Sequence, residues 1–162
     1  MVIRRIEPLD AGALVDFYNG LSAASKRTFR PLGATTTLEV CEGIVRDNSP
    51  GMDRRLDLVA LHETRIVGWA FLQNLQSDKP TFGLGIADDY QGRGLGGALM
   101  DRVMNAARER AVEKVSLIVV KDNAVAWKMY EKRGFHRSGE YVEDDGLTYF
   151  RMTAGLQPGR QS

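Results

Sequence analysis

The chain has 162 residues, a length that suits one compact domain with its own core; 43% are hydrophobic and 27% charged, as in an ordinary globular protein. Lys and Arg total 22 against 21 Asp and Glu, so net charge gives no reason to expect nucleic acid or an anionic membrane as partner. The single cysteine, Cys41, excludes an internal disulfide and points to a cytoplasmic protein; among Leu38, Ile44 and Val45 it reads as a small buried residue.

In chain order, Val2 to Ile6 predicts a short strand ended by Pro8. The charged stretch from Met1 to Asp10 lacks the apolar run of a signal peptide. Asp10 is placed to cap a helix over Ala11 to Asn19, with Leu14, Tyr18 and Leu21 at helical spacing. Ser22 to Thr35 reads as irregular and basic. Thr36 and Glu39 have capping-box spacing and predict a second helix to about Asp47, broken by Asn48-Ser49-Pro50-Gly51. Leu56 to Leu61, Ile66 to Leu72 and Thr81 to Ile86 then form an antiparallel meander.

Leu95 to about Arg110 is the clearest helix, its apolar stripe made by Leu95, Leu99, Val103 and Ala106. Val115 to Val120 predicts a strand buried on both faces. Asn123 is placed to cap a helix over Ala124 to Arg133, stopped by Gly134. A hairpin of Phe135 to Tyr141 and Leu147 to Met152 turns at Asp145-Gly146. No apolar run reaches the roughly 20 residues of a membrane span. Together these elements predict an α/β (α+β) domain over residues 1–154 with a mixed sheet, and a flexible tail over 155–162.

The most informative segment is the loop leading into the long helix. Four of the six residues from Gly92 to Gly97 are glycine, placed where the first helical N–H groups have no partners and the dipole is positive. Without β-carbons an anion can approach those amides, and Arg93 adds a charge, so the loop suits a phosphate or diphosphate. The plainer alternative is that the glycines let the helix pack closely on the sheet. Gly92, Gly94 and Gly97 also satisfy G-x-G-x-x-G, but Ala87 to Gln91 separates them from the strand and a meander precedes them, against a dinucleotide fold. No Gly-Lys-Ser/Thr follows, which excludes a Walker A loop.

Gln91-Gly92-Arg93-Gly94-Leu95-Gly96 resembles the Q/R-x-x-G-x-G/A motif of the GNAT superfamily of N-acetyltransferases. Asn123-Ala124-Val125-Ala126-Trp127-Lys128-Met129-Tyr130-Glu131-Lys132-Arg133-Gly134-Phe135 resembles the N-x-x-A-x-x-x-Y-E-K-x-G-F segment of the same family. Asp88 departs from it, standing where proline is usual. The resemblance implies a GNAT-like, mostly antiparallel sheet of about seven strands flanked by about four helices. The strands near Ile86 and Val115 should splay into a V-shaped coenzyme cleft.

It also implies acetyl-CoA as cosubstrate, with the diphosphate on Gln91, Gly92, Arg93, Gly94, Leu95, Gly96 and Gly97. Pantetheine amides would pair at Ile86 and Ala87, and Asn123 would help hold the arm. Tyr130 becomes the proton donor to the departing thiolate, a phenol being protonated at neutral pH; its alternative role is packing, as is that of Trp127. For the base that frees the acceptor amine, Glu39, Glu42, Asp57, Glu143 and Asp145 are candidates, and each is also an ordinary carboxylate. His62 and His136 read as structural or exposed, and no residue spacing suggests a metal.

Within the resemblance the acceptor is an amine, small or on a peptide or protein, and a homodimer is common. Lys26, Arg27 and Arg30 suit an acceptor carboxylate, whereas Glu140, Glu143, Asp144 and Asp145 suit a polycationic amine. Both groups are also ordinary solvated surface. A non-catalytic acyl-CoA sensor using the same cleft is the alternative function.

Overall fold

The computed structural model describes residues 1–156. A seven-stranded sheet of order β1-β2-β3-β4-β5-β7-β6 is built from β1 Val2–Arg5, β2 Leu56–His62, β3 Arg65–Gln73, β4 Thr81–Ile86, β5 Lys114–Val120, β6 His136–Val142 and β7 Thr148–Gly155. All neighbours pair antiparallel except β4 and β5, which are parallel. That parallel pair meets only at Thr81 and Ser116, where Ser116 N–H donates to Pro80 O at 3.0 Å. Past this point the two strands diverge, opening the V that the family resemblance implies.

Five α-helices cover the sheet: α1 Ala11–Asn19, α2 Ala23–Thr28, α3 Leu38–Asp47, α4 Leu95–Glu109 and α5 Ala124–Glu131. Strand alternation sorts them by face. A β-carbon on Gly68 would lie 2.7 Å from Leu99 of α4, so even-numbered residues of β3 face α4. The odd-numbered Trp69 and Phe71 meet Phe29, which follows α2 and packs on Tyr18 of α1. α5 shares the α4 face, with Arg133 just beyond its end paired to Asp101 at 2.8 Å. The core contains Leu14, Tyr18, Trp69, Leu99, Val103, Leu117 and Met152, each almost wholly buried. No described helix is long and apolar enough to cross a membrane.

Several boundaries differ from the sequence expectations. The fifth helix is α2, inside the stretch read as irregular; Ser22 caps it by accepting from Ser25 N–H at 3.1 Å. The cap of α3 is Thr37, which accepts from Val40 N–H, not Thr36, which is buried and bonded to Asn19. Asp10 does not cap α1: it closes a 3-10 turn, accepting from Glu7 N–H at 2.7 Å and pairing with Arg4. Nor does the Asn123 side chain cap α5. Strand β5 is not buried on both faces, since Ile118 is 50% exposed. Gly155, expected in a tail, belongs to β7, and Leu156 N–H donates to Glu113 O at 2.8 Å. The remainder of that tail lies outside the described residues.

Candidate active site

The loop before α4 is built as an open row of donors. Gly92 (φ 74°) and Gly94 (φ 81°) take left-handed backbone angles that disfavour other residues, and no atom crowds the position a β-carbon would fill. The first bond of α4 is Ala98 N–H to Gly94 O at 3.2 Å. From Gln91 to Gly97 no backbone N–H donates to any described residue. Arg93 is exposed, packs over Tyr90 at 5.0 Å, and has no ion-pair partner among the described residues. Unpaired amides at the positive end of a four-turn helix, beside a free guanidinium, make a receptor for a diphosphate-sized anion.

The other two glycines sit closer to neighbouring side chains. A β-carbon at Gly97 would lie 2.6 Å from the Arg133 guanidinium, and one at Gly96 would touch Leu84 at 3.4 Å. Neither contact demands glycine, whereas the left-handed angles of Gly92 and Gly94 do.

From this loop the V runs along β4. Ser116 donates to Pro80 on one side of β4 and Ala87 donates to Val67 at 2.9 Å on the other. Backbone groups alternate sides along a strand, so Leu84 and Ile86 turn theirs into the gap. Ala87 does not offer an edge as expected: its N–H is used by Val67 and its carbonyl accepts from Tyr90 at 2.8 Å. Leu84 takes its place. The Ile86 carbonyl already accepts from the Gln91 side chain at 3.0 Å, leaving the Ile86 N–H and both groups of Leu84 for an extended ligand.

Tyr130, on the inner face of α5, borders the same gap. Its ring meets Phe82 of β4 edge-on at 6.0 Å and Phe135 at 6.2 Å, and the residue is 8% exposed. Its hydroxyl bonds to no described residue. Among the described residues no fully buried side-chain polar atom lacks a partner, so the hydroxyl must open onto accessible space. Burial pushes its pKa up to about 12. Asn123, on the neighbouring turn, is half-buried, and its carboxamide has no partner among the described residues; its main chain bonds to Val120 and Trp127. Trp127 donates to Lys121 O at 2.9 Å and packs on Phe150, so it is a structural wall.

α2 lies across the mouth of the V and is fastened to both lips. On the β4 side, Ser25 donates to Asp88 at 2.9 Å and accepts from Gln91 at 3.0 Å. Hydrogen bonds from Ser22 and then Ser25 hold the Asp88 carboxyl below its ordinary range. On the β5 side, Arg27 grips Asp122 with two bonds of 3.1 and 2.7 Å. The departure at Asp88 thus ties the loop to α2. Sequence reading missed Ser25, Asp122 and Leu84; the first two had no local signal, whereas the alternation of β4 could have given the third.

The structure also sorts the carboxylates. Asp57 is fully buried and accepts from Trp69 at 2.7 Å, Asn48 at 2.9 Å and Arg55 at 3.0 and 2.9 Å. Its oxygens are all engaged, so it is a structural ion, not a base. Asp145 accepts from Tyr149 at 2.6 Å and Leu147 N–H at 2.8 Å, bonds that hold it below the usual carboxylate range with help from Arg27 and Arg30. Burial, and then that bond, pushes Tyr149 up to about 12. Cys41 is fully buried beside Thr36, and burial raises its thiol. Among the described residues no three His, Cys, Asp or Glu gather as metal ligands would.

Residues 27–135 match the Acetyltransferase (GNAT) family, and the chain belongs to it. Over 80 residues it is 39% identical to the mycothiol acetyltransferase of Corynebacterium aurimucosum, covering 47% of this chain and 26% of that protein. Over 84 residues it is 30% identical to the ribosomal protein bS18-alanine N-acetyltransferase of Haemophilus influenzae, covering 52% of this chain and 57% of that one. The chain therefore spans about a quarter to just over half of these relatives. Among solved structures, yncA of Salmonella typhimurium with its cofactor acetyl-CoA superposes with a TM-score of 0.82 at 18% identity, over 100% of this chain and 97% of that one. That likeness speaks to the fold.

Proposed function

We propose that the chain moves an acetyl group from acetyl-CoA to a primary amine by direct attack, with Tyr130 as proton donor to the departing thiolate. The observation that carries this reading is a set of groups without partners among the described residues that border one cleft: the amides of 91–97, the Ile86 N–H and Leu84 edge, and the hydroxyl of Tyr130. The diphosphate takes the amides, Arg93 adds its charge, pantetheine pairs with β4, and Asn123 holds the arm from the β5 side. Membership of the acetyltransferase family, and acetyl-CoA in yncA, support the identity of the ligand.

The amine nitrogen attacks the thioester carbon, the C–S bond breaks, and the amine sheds one proton while sulfur gains one. Tyr130 closes this balance by passing its proton to sulfur and taking up the proton shed by nitrogen. The acceptor approaches from the face lined by α1, α2 and the β6–β7 turn. Its class is an amine, in keeping with the N-acetyltransferase named for the bS18-alanine relative.

Removing the phenol separates chemistry from binding. Tyr130→Phe is expected to lower kcat about 10²- to 10⁴-fold with coenzyme affinity nearly unchanged, measured by steady-state kinetics on a responsive amine and by calorimetry. Undiminished kcat would remove Tyr130 from the mechanism. Tight coenzyme binding with no turnover on any amine would favour a sensor.

A further inference from the structure

The two faces of β4 differ at the gap. Phe82 and Leu84 point toward α4 and α5, where Tyr130 and Gly96 meet them. On the opposite face β4 carries Gly83 and Gly85, and both vacant positions are filled by aromatic rings from elsewhere. A β-carbon on Gly83 would collide with Phe71, and one on Gly85 with Phe29. Phe29 lies at the end of α2 and is only half-buried. It is held edge-on by Trp69 at 5.7 Å and Tyr18 at 6.2 Å, and tilted against Phe71 at 6.4 Å. The fastenings of α2 to Asp88, Gln91 and Asp122 fix its position from both sides.

A coenzyme arm that starts at the amides of 91–97 and pairs with Ile86 and Leu84 brings its thioester beside Leu84 and Gly85. Sulfur then lies toward Tyr130, and the acyl chain turns to the opposite face, where aromatic rings stand in place of the side chains that Gly83 and Gly85 lack. The first solid surface there is the Phe29 ring. We infer that Phe29, laid on Gly85 and clamped by α2, sets the length of acyl chain the cleft accepts, limiting it to the shortest. The inference rests on the acyl-CoA reading above and adds the residue that selects the acyl group.

The test is calorimetric titration of CoA and of acetyl-, propanoyl- and butanoyl-CoA into the full chain, which requires no acceptor. The wild type is expected to bind butanoyl-CoA at least about tenfold more weakly than acetyl-CoA, the scale of discrimination a tight apolar pocket gives per added carbon or two. Phe29→Ala should bring the pair within about threefold, with free CoA affinity unchanged. Phe29→Leu, which keeps most of the packing, should shift the ratio in the same direction if the alanine variant fails to fold. Gly85→Ala should weaken acetyl-CoA by pushing the ring into the acyl space, and adding Phe29→Ala should restore it. A butanoyl-to-acetyl ratio equal in wild type and the folded Phe29 variants overturns the inference while leaving the acyl-CoA reading intact. A wild type that binds none of the four compounds overturns that reading itself.

Discussion

Tyr130 illustrates how burial shapes a single functional group. The ring is held by Phe82 and Phe135, and desolvation raises the phenol pKa to about 12, so it is fully protonated wherever the protein is folded near neutrality. A free thiol titrates near 8.5, so proton loss from the phenol to thiolate alone is uphill; it becomes feasible when the nitrogen's proton arrives in the same step. Two consequences concern pH. First, kcat should show no loss from Tyr130 ionisation near pH 10, and of the two phenols that titrate near 12, Tyr130 and Tyr149, only one should remain in an ultraviolet titration of Tyr130→Phe. A wild-type descending limb near pH 10 that the variant lacks would contradict this. Second, the native pKa exceeds the unfolded value of 10, so between pH 10 and about 12 the unfolded chain loses this proton first. Stability is present below pH 10 and falls across that window.

At the scale of elements, the buried Asp57 of β2 holds three side chains: Asn48 beyond α3, Trp69 on β3, and Arg55 just before its own strand. Asp57→Ala would leave Arg55 with no counter-ion in a site where its side chain is 15% exposed, and would orphan the Trp69 N–H. A loss of about 3–5 kcal/mol in chemical denaturation is expected, the range for breaking one side of a buried pair. Coenzyme affinity of the remaining folded protein should be unchanged. A loss below 1 kcal/mol would show that the network is not needed.

The same scale explains what was legible in the sequence. Most strands and the helices α1, α3, α4 and α5 stood out by the recurrence or the run of their apolar residues, whereas β6 has no apolar alternation and was legible through the Asp145-Gly146 turn that closes its hairpin. α2 did not: Ala23-Ala24-Ser25-Lys26-Arg27-Thr28 has no apolar stripe, and its position comes from distant partners, Asp88, Gln91 and Asp122. The cap of α3 was missed by one residue because Thr35, Thr36 and Thr37 have the same chemistry, and only the bond to Val40 tells them apart. Ala87 was misassigned as an edge because side-chain identity does not say which way a backbone carbonyl turns. The carboxylates could not be sorted at all from sequence, since Asp57 and Asp145 differ only in what folds around them.

At the scale of the whole molecule, one irregularity shapes the candidate site: a continuous sheet in which β4 and β5 pair only at Thr81 and Ser116. The divergence frees the Leu84 and Ile86 edge, brings α4 and its unpaired amides to one lip, and sets Asn123 and Tyr130 on the side of the other. α2 bridges the mouth.

The central claim is that the amides at the start of α4 hold a diphosphate. Calorimetric titration of CoA into wild type and Gly94→Glu tests it most directly, since a carboxylate at residue 94 puts both bulk and negative charge into the anion site. The account predicts saturable binding to the wild type, no measurable heat with folded Gly94→Glu, and none with NAD for either protein. Equal CoA affinity in the two proteins, or wild-type binding of NAD in place of CoA, would contradict it.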